Sequence, residues 1–428
     1  MPHRTADDPG RPRLGVLPGF LVLLSPVSQL GFTPVSVVLG DQLGLSTGQV
    51  GVTVGVYPAA AALATVVLGP LFDLVPARRL LPVAVAANVV LSASLLLAPG
   101  FTGLVVARVL TGFTNSALLL CAAVAVADAN RGHGTARERG FSRLQTFTSV
   151  GAVVGLGVGA AAAGLGQPRL WSWTVVGYGL LVLVLAPAIA RRLPPAAAGA
   201  AATGSAGTRL RAVLTDAGAA LRVPRTALVL AAAGGVGWAI QAAHYAVSLL
   251  SEELAPPLWQ RVLLAVMIPA GVFAGSLLNQ RLLARTGAGT LFARTYPALP
   301  VACAALGLAV AASGAWAAAA LLLVLVLLGV VLGILMPLSP AVLVGRHPDL
   351  RGSVTAADSV TKGLGSAVSP VVLGAVAAAT SLTGGFLVLA AVAGLAAVAA
   401  RSAAGVRDRD PHPPTRRPGT PSSRRVGG

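Results

Sequence analysis

The chain has 428 residues, 55% of them hydrophobic and only 10% charged, with 31 basic residues against 13 acidic and a formal net charge of +18. A soluble chain of this length would form about two or three domains with charged surfaces, and so few charges exclude that class. Two isolated cysteines, Cys121 and Cys303, exclude a disulfide framework and read as small buried apolar residues.

Charge-free runs recur along the chain at 14–40, 42–72, 80–107, 109–127, 144–168, 170–190, 226–251, 262–280, 295–345 and 363–400. A bilayer core takes about 20 apolar residues per helix. The last two runs are too long for one crossing and divide at Ser313-Gly314 and between Thr380 and Gly385. The spacing therefore predicts twelve helices, over 15–39, 49–71, 80–98, 103–125, 144–166, 170–190, 226–250, 260–281, 291–313, 316–340, 355–378 and 381–400. Only helices and closed barrels satisfy their backbone in lipid, and these runs are too long for tilted strands. The expected fold class is an all-α membrane protein of twelve transmembrane helices.

The basic residues, all arginine except Lys362, fall almost all in alternate connections. They follow the even-numbered spans and precede the first, whereas the opposite loops hold only Arg169 and Arg261 beside Asp41, Glu252 and Glu253. This is the positive-inside bias; it excludes nucleic acid as the reason for the charge and places both termini in the cytoplasm. Trp171, Trp173, Trp259 and Trp316 begin the sixth, eighth and tenth spans at the other face, as an interfacial belt would. The expected location is the inner (plasma) membrane, multi-pass. The first apolar run has span length and no small-residue cleavage site, so no cleavable signal peptide is expected.

In chain order, residues 1–14 form a polar cytoplasmic tail. The first span carries Ser25, Gln29 and Thr33 at intervals of four, a polar stripe that faces protein or water rather than lipid. The second carries Tyr57 and ends in Gly69-Pro70-Leu71-Phe72-Asp73-Leu74-Val75-Pro76-Ala77-Arg78-Arg79. A glycine, an acid one turn later and paired arginines make a charged clasp between two spans. Within the fourth span lies Arg108, followed by Gly112, Thr114 and Asn115. An arginine there costs about 2.5–3.5 kcal/mol to insert. It either snorkels to the outer interface or grips helices and lines a cavity.

The connection from Asp128 to Arg143 carries both signs. The fifth span then runs Gly151, Gly155, Gly157, Gly159 and Gly164. Glycines at intervals of four let helix backbones approach, either as tight packing or as a pivot between halves. Residues 191–225 form a cytoplasmic central loop, a flexible linker from Pro194 to Gly207. After it Leu210, Val213, Leu214 and Leu221 fit a helix lying on the inner leaflet. It divides a six-helix bundle at 15–190 from a second at 226–400.

The seventh span is the most polar of the second half, with Gln241, His244 and Tyr245. Gly275, Asn279 and Arg285 repeat the clasp at one constant offset from Gly69, Asp73 and Arg79, with the acid weakened to an amide. Pro337 and Pro340 predict a break in the tenth span. The eleventh opens with Arg351-Gly352, as the fifth opens with Arg139-Gly140. It then places Asp358 and Lys362 four apart, read as a self-neutralising pair at the membrane entrance. Residues 401–428 are a disordered basic tail held near anionic headgroups.

Six plus six helices, cytoplasmic ends, a long central loop and a duplicated clasp resemble the major facilitator superfamily over residues 15–400. Gly69-x-x-x-Asp73-x-x-x-x-Arg78-Arg79 is similar to that family's loop 2–3 signature, with Val75-Pro76 where a glycine is usual. Arg108-x-x-x-Gly112 is similar to its fourth-helix signature. The fifth-span glycines resemble its antiporter signature, with Gly157-Val158 where Gly-Pro is usual. The resemblance implies alternating access by rocking of two halves, with Gly69, Asp73, Arg78, Arg79, Arg108, Gly112, Gly275 and Arg285 in gating and Gly151, Gly155 and Gly159 in packing. Asp73 is expected to meet the positive N-terminus of the eleventh helix.

The resemblance also implies a cavity between helices 1, 4, 7 and 10, to which this sequence offers Gln29, Asn115, Gln241, His244 and Tyr245. So little charge suits a hydrophobic or weakly polar small molecule. The expected function is proton-coupled efflux by an antiporter; the alternatives are uptake or uniport of a neutral metabolite, and a non-transporting sensor or scaffold. The coupling ion is expected to be H⁺, with His244, Asp41 and Asp128 as candidates. The chain lacks His-Glu-x-x-His, Gly-x-Ser-x-Gly and Gly-x-x-x-x-Gly-Lys, so neither a membrane enzyme, such as an acyltransferase or intramembrane protease, nor a primary pump is expected. No cofactor, metal or nucleic acid is expected, and the chain is read as a monomer in the lipid bilayer.

Overall fold

The computed structural model describes residues 17–405 apart from 46, 99, 131–133, 194–210, 212–214, 217, 255–256 and 313–316. Both tails, the linker, most of the expected surface helix, Trp316 and the side chain of Asp73 lie outside the described parts. All described regular structure is helical.

The first crossing is made in two pieces, α1 (Leu17–Gln29) and α2 (Phe32–Gln42). Proline explains the break. Pro34 has no N–H for the Leu30 carbonyl, so the Thr33 N–H takes it at 3.1 Å in a tighter turn. Then come α3 (Thr47–Leu74), α4 (Ala77–Leu97), α5 (Phe101–Ala129), α6 (Gly134–Gly164) and α7 (Arg169–Arg192). The second set opens with α8 (Pro224–Leu254) and α9 (Leu258–Leu282). Its third crossing joins α10 (Ala288–Thr295) to α11 (Ala298–Ala311), and its fourth joins α12 (Ala317–Leu335) to α13 (Leu338–Arg346). After a 3-10 turn at Pro348–Leu350, α14 (Arg351–Ala379) and α15 (Leu382–Gly405) complete it. Pro300 makes the α10–α11 break as Pro34 does the first: the Leu299 N–H takes the Tyr296 carbonyl at 3.0 Å.

Ten described segments are long and apolar enough to cross a membrane, and α1–α2 add an apolar stretch over Leu21–Ser36. The eleventh crossing, α14, has 29 residues, or about 43 Å of helix. It carries Asp358 and Lys362 and is packed between α3 and α8.

The packing repeats. In the first set α1 lies against α6, α3 against α5, and α4 against α5 and α7. In the second, α8 lies against α14, α9 against α12, and α11 against α12 and α15. Crossing for crossing these are the same pairs. The two sets meet where α3 packs on α14 and α6 on α9. Leu63, Val67, Val83, Val90 and Val184 point outward and exposed, as a lipid-facing surface requires.

Candidate functional site: a cavity between the two helix sets

A cavity of about 210 Å³ lies between the sets, walled by α1, α3, α5 and α6 on one side and α8, α9 and α14 on the other. Pro26, Ala61, Val236, Ile240, Val272 and Met336 make much of its wall apolar. Its polar wall holds Gln29, Tyr57, Gln145, Gln241, His244 and Lys362. Three of the five expected cavity residues thus line it: Gln29, Gln241 and His244. His244 is nearly buried, with Nδ1 at 2.7 Å from the Ile240 carbonyl of its own helix. Tyr245 is not among the lining residues.

Asn115 stands one layer behind. Its amide donates to the Tyr57 hydroxyl at 3.0 Å and accepts from Asn88 Nδ2 at 2.7 Å. The Tyr57 hydroxyl in turn donates to the Ser25 carbonyl at 3.3 Å. A chain of buried polar groups thus links α4, α5, α3 and α1, and Tyr57 and Ser25 carry it to the cavity wall.

Arg108 neither snorkels nor lines the cavity. It is 0% exposed. Its guanidinium sits 4.2 Å from the Phe32 ring centroid, 4.5 Å from Tyr57 and 6.0 Å from Trp171. Nη1 donates to the Ser28 carbonyl at 2.8 Å and Nε to the Thr53 carbonyl at 3.4 Å. Among the described residues, aromatic faces and carbonyl dipoles stand where a counter-ion would. Trp171 does not join an interfacial belt: it is buried on this box, its indole N–H donating to the Val27 carbonyl at 3.1 Å. Trp173 and Trp259 are exposed, as the belt requires.

The Asp358–Lys362 pair is formed, with Nζ 2.7 Å from Oδ2, but it is not peripheral: Lys362 lines the cavity and Asp358 is buried behind it. Proline is again the cause. Pro340 leaves the Met336 carbonyl without its helical donor. At this break a side chain fills the gap, Lys362 Nζ donating to that carbonyl at 2.9 Å. Sequence reasoning read the i,i+4 spacing correctly and the depth wrongly. The available signal was a lone lysine in an arginine-rich chain, on a helix that had to pack beside a proline-broken one.

At the arginine-rich end the two sets touch directly. A Cβ on Gly69 of α3 would lie 2.5 Å from the Ala356 Cβ and 3.2 Å from the Gly352 carbonyl of α14. The end of the clasp helix therefore meets the start of α14, while the Asp73 side chain lies outside the described parts. Arg78 and Arg79 are exposed there. Arg351 of α14 pairs with Asp128 of α5 at 2.6 Å. Ser142 Oγ of α6 donates to the Ser276 carbonyl of α9 at 2.8 Å, and Gln280 Nε2 to Thr146 Oγ1 at 3.2 Å. On this side burial, with Arg346 adjacent, holds the His347 imidazole below its usual range, and its Nε2 lies 3.0 Å from Thr226 Oγ1.

The downstream copy is built differently. Gly275 packs against the Val330 backbone of α12, inside its own set, and Arg285 is exposed. Asn279 is fully buried, and neither amide atom has a hydrogen-bond partner among the described residues. Of the fifth-span glycines, Gly151, Gly155 and Gly159 face the first crossing. A Cβ on Gly151 would lie 2.5 Å from the Leu23 carbonyl, and one on Gly155 2.7 Å from the Val27 Cα; Gly159 abuts the Gly31 carbonyl. These contacts are packing within the first set. Gly112 likewise admits the Tyr57 carbonyl of α3, 2.7 Å from where a Cβ would stand.

The family profile described as Major Facilitator Superfamily matches residues 19–357 and, in a second segment, 300–426. No curated protein sequence matches the chain. Among solved structures, a variant of the E. coli fucose:proton symporter FucP matches with TM-score 0.68 and 15% identity, over 91% of this chain and 98% of that one. FucP in the outward conformation matches with TM-score 0.67 and 15% identity, over 91% and 98%. At such identity the likeness is one of fold. The profile match, the repeated packing and a cavity walled by both sets make this chain a member of the major facilitator superfamily, a multi-pass membrane transporter and not an enzyme.

Proposed function

We propose that the protein is a proton-coupled carrier of a hydrophobic or weakly polar small molecule, working by alternating access. The moving bodies are the helix sets at 15–190 and 226–400, joined by the loop at 191–225. The observation that carries this reading is the cavity itself: both sets wall it, and the arginine-rich end is closed by a few cross-set contacts rather than by covalent structure. Such contacts exist in one state and bias the balance between states. With the positive-inside rule, that end is cytoplasmic, the membrane is the inner (plasma) membrane and the closed state is outward-facing. Gln29, Gln241 and His244 contact the solute; Gly69, Asp73, Arg78 and Arg79 act in closure. The working unit is a monomer.

The mostly apolar lining favours export of a hydrophobic compound. A second reading, uptake, is favoured by the lysine–aspartate pair on the wall and by likeness to a proton symporter. Proteoliposomes with an imposed pH gradient separate them. Export by exchange makes solute move against the proton flow, and symport makes it move with it. Solute flux indifferent to the gradient would end the claim of proton coupling.

A further inference from the structure

We infer that the cavity takes a small, largely apolar organic monoanion, whose carboxylate docks on Lys362 while Asp358 takes up a proton. This rests on the carrier reading and names the substrate class of its cavity.

The geometry sets up an exchange. An ammonium has three N–H donors. Lys362 spends one on Asp358 Oδ2 and one on the Met336 carbonyl, and it lines the cavity. Asp358 is 3% exposed, and its second oxygen, Oδ1, has no hydrogen-bond partner among the described residues. The cation therefore faces the solute and the carboxylate lies behind it. Ser359, Gln241 and Ser366 line the same cavity as Lys362, the Ser366 hydroxyl donating to the Gly237 carbonyl at 2.9 Å. The rest of the pocket is apolar, which suits a body of hydrocarbon with one acid group.

Charge balance then couples solute to proton. The empty pair is neutral. A carboxylate alone would leave the cavity at minus one, and a proton alone would leave it at plus one. Either net charge is costly in an apolar cavity. With both bound, the solute carboxylate faces the ammonium, Asp358 is a neutral acid, and the sum is zero again. Only the empty and the doubly loaded cavities are neutral, so those are the two forms in which the sets move.

The other titratable groups near α14 are engaged or distant from this exchange. On α5, Asp128 pairs with Arg351 and Arg108 is boxed by aromatic rings. On α8, His244 bonds the Ile240 carbonyl, while Arg225 bonds the Ala403 carbonyl of α15 at the arginine-rich end. Arg346 of α13 bonds the Arg225 carbonyl at that end, and Arg401 and Asp349 are exposed. Asp73 of α3 and Glu252 and Glu253 of α8 have side chains outside the described parts. Among the described residues the only ion pair of Asp358 is with Lys362.

Calorimetry on the purified full-length protein tests this with benzoate and octanoate, each beside its amide and its amine. The carboxylates should bind at least tenfold tighter than either neutral or cationic analogue. Their affinity should rise by up to tenfold per pH unit from pH 7.5 to 5.5, with about one proton taken up per molecule bound. Asp358→Asn mimics the protonated pair: it should keep carboxylate binding and lose both proton uptake and pH dependence. Asp358→Asn with Lys362→Gln keeps the site neutral and should lose carboxylate binding at least tenfold. Amides binding as well as the acids, proton uptake surviving in Asp358→Asn, an unaffected double variant, or no carboxylate binding at all would each overturn the inference. Spin-label distances across the arginine-rich end test the carrier reading apart. A second, opened population shows that the sets move whatever the cavity holds, and one fixed distance would sink the carrier while leaving any carboxylate binding in place.

Discussion

Arg108 shows how a membrane interior accommodates a guanidinium on rings and backbone carbonyls. Three rings and two backbone carbonyls receive the guanidinium, and the carbonyls come from α1 and α3. One side chain thus fixes the broken first crossing to the second. Lysine cannot reproduce this, because its ammonium is a point charge and lacks the planar fork that spans both carbonyls and stacks on rings. Arg108→Lys should cost about 1–3 kcal/mol of stability, read as a lower thermal midpoint in detergent. An unchanged midpoint would say that the box holds nothing together. Sequence named this arginine and left its role open between interface and interior; the rings that decide it come from Phe32, Tyr57 and Trp171, far apart in the chain.

Among elements, α6 and α1 meet along a glycine seam. Gly151, Gly155 and Gly159 stand on one face, and the backbone of α1 fills the space their side chains would take. Gly157, on another face, meets nothing within 4 Å. Gly155→Val should therefore push the two helices apart and destabilise the protein by about 1–3 kcal/mol or more, whereas Gly157→Ala should be near neutral. Thermal unfolding of the two variants side by side checks this, and equal melting would refute the seam. The proline breaks follow one rule read at three places. A proline strips a carbonyl of its donor, and the preceding N–H takes it at Leu30 and Tyr296, while Lys362 takes it at Met336. The first two are local repairs. The third ties α14 to the α12–α13 break and sets the lysine on the cavity wall.

At the scale of the molecule, function depends on how lightly the arginine-rich end is held. Asp128–Arg351 joins the end of α5 to the start of α14, and both side chains are mostly buried. Asp128→Asn keeps the shape and removes the charge. It should weaken closure by about 1–2 kcal/mol, a factor of roughly 5–30 in the ratio of open to closed. Distances between spin labels on the α5–α6 and α13–α14 connections would report it. A distribution identical to the wild type would remove this pair from the gate.

Twelve crossings, their alternate arginine-bearing loops and the duplicated clasp were legible because a bilayer imposes length, apolarity and charge asymmetry locally, along the chain. Gln29, Gln241 and His244 were legible for the same reason: polar groups on apolar helices must face protein or water. Depth and partnership were not. Whether Asn115 lines the cavity or stands behind Tyr57 depends on how α3 and α5 pack. That Gly69 meets the opposite set while Gly275 meets its own cannot be read from two similar motifs. Lys362 reaches the cavity because a proline on another crossing frees a carbonyl there, a contact between residues 26 apart that only packing creates.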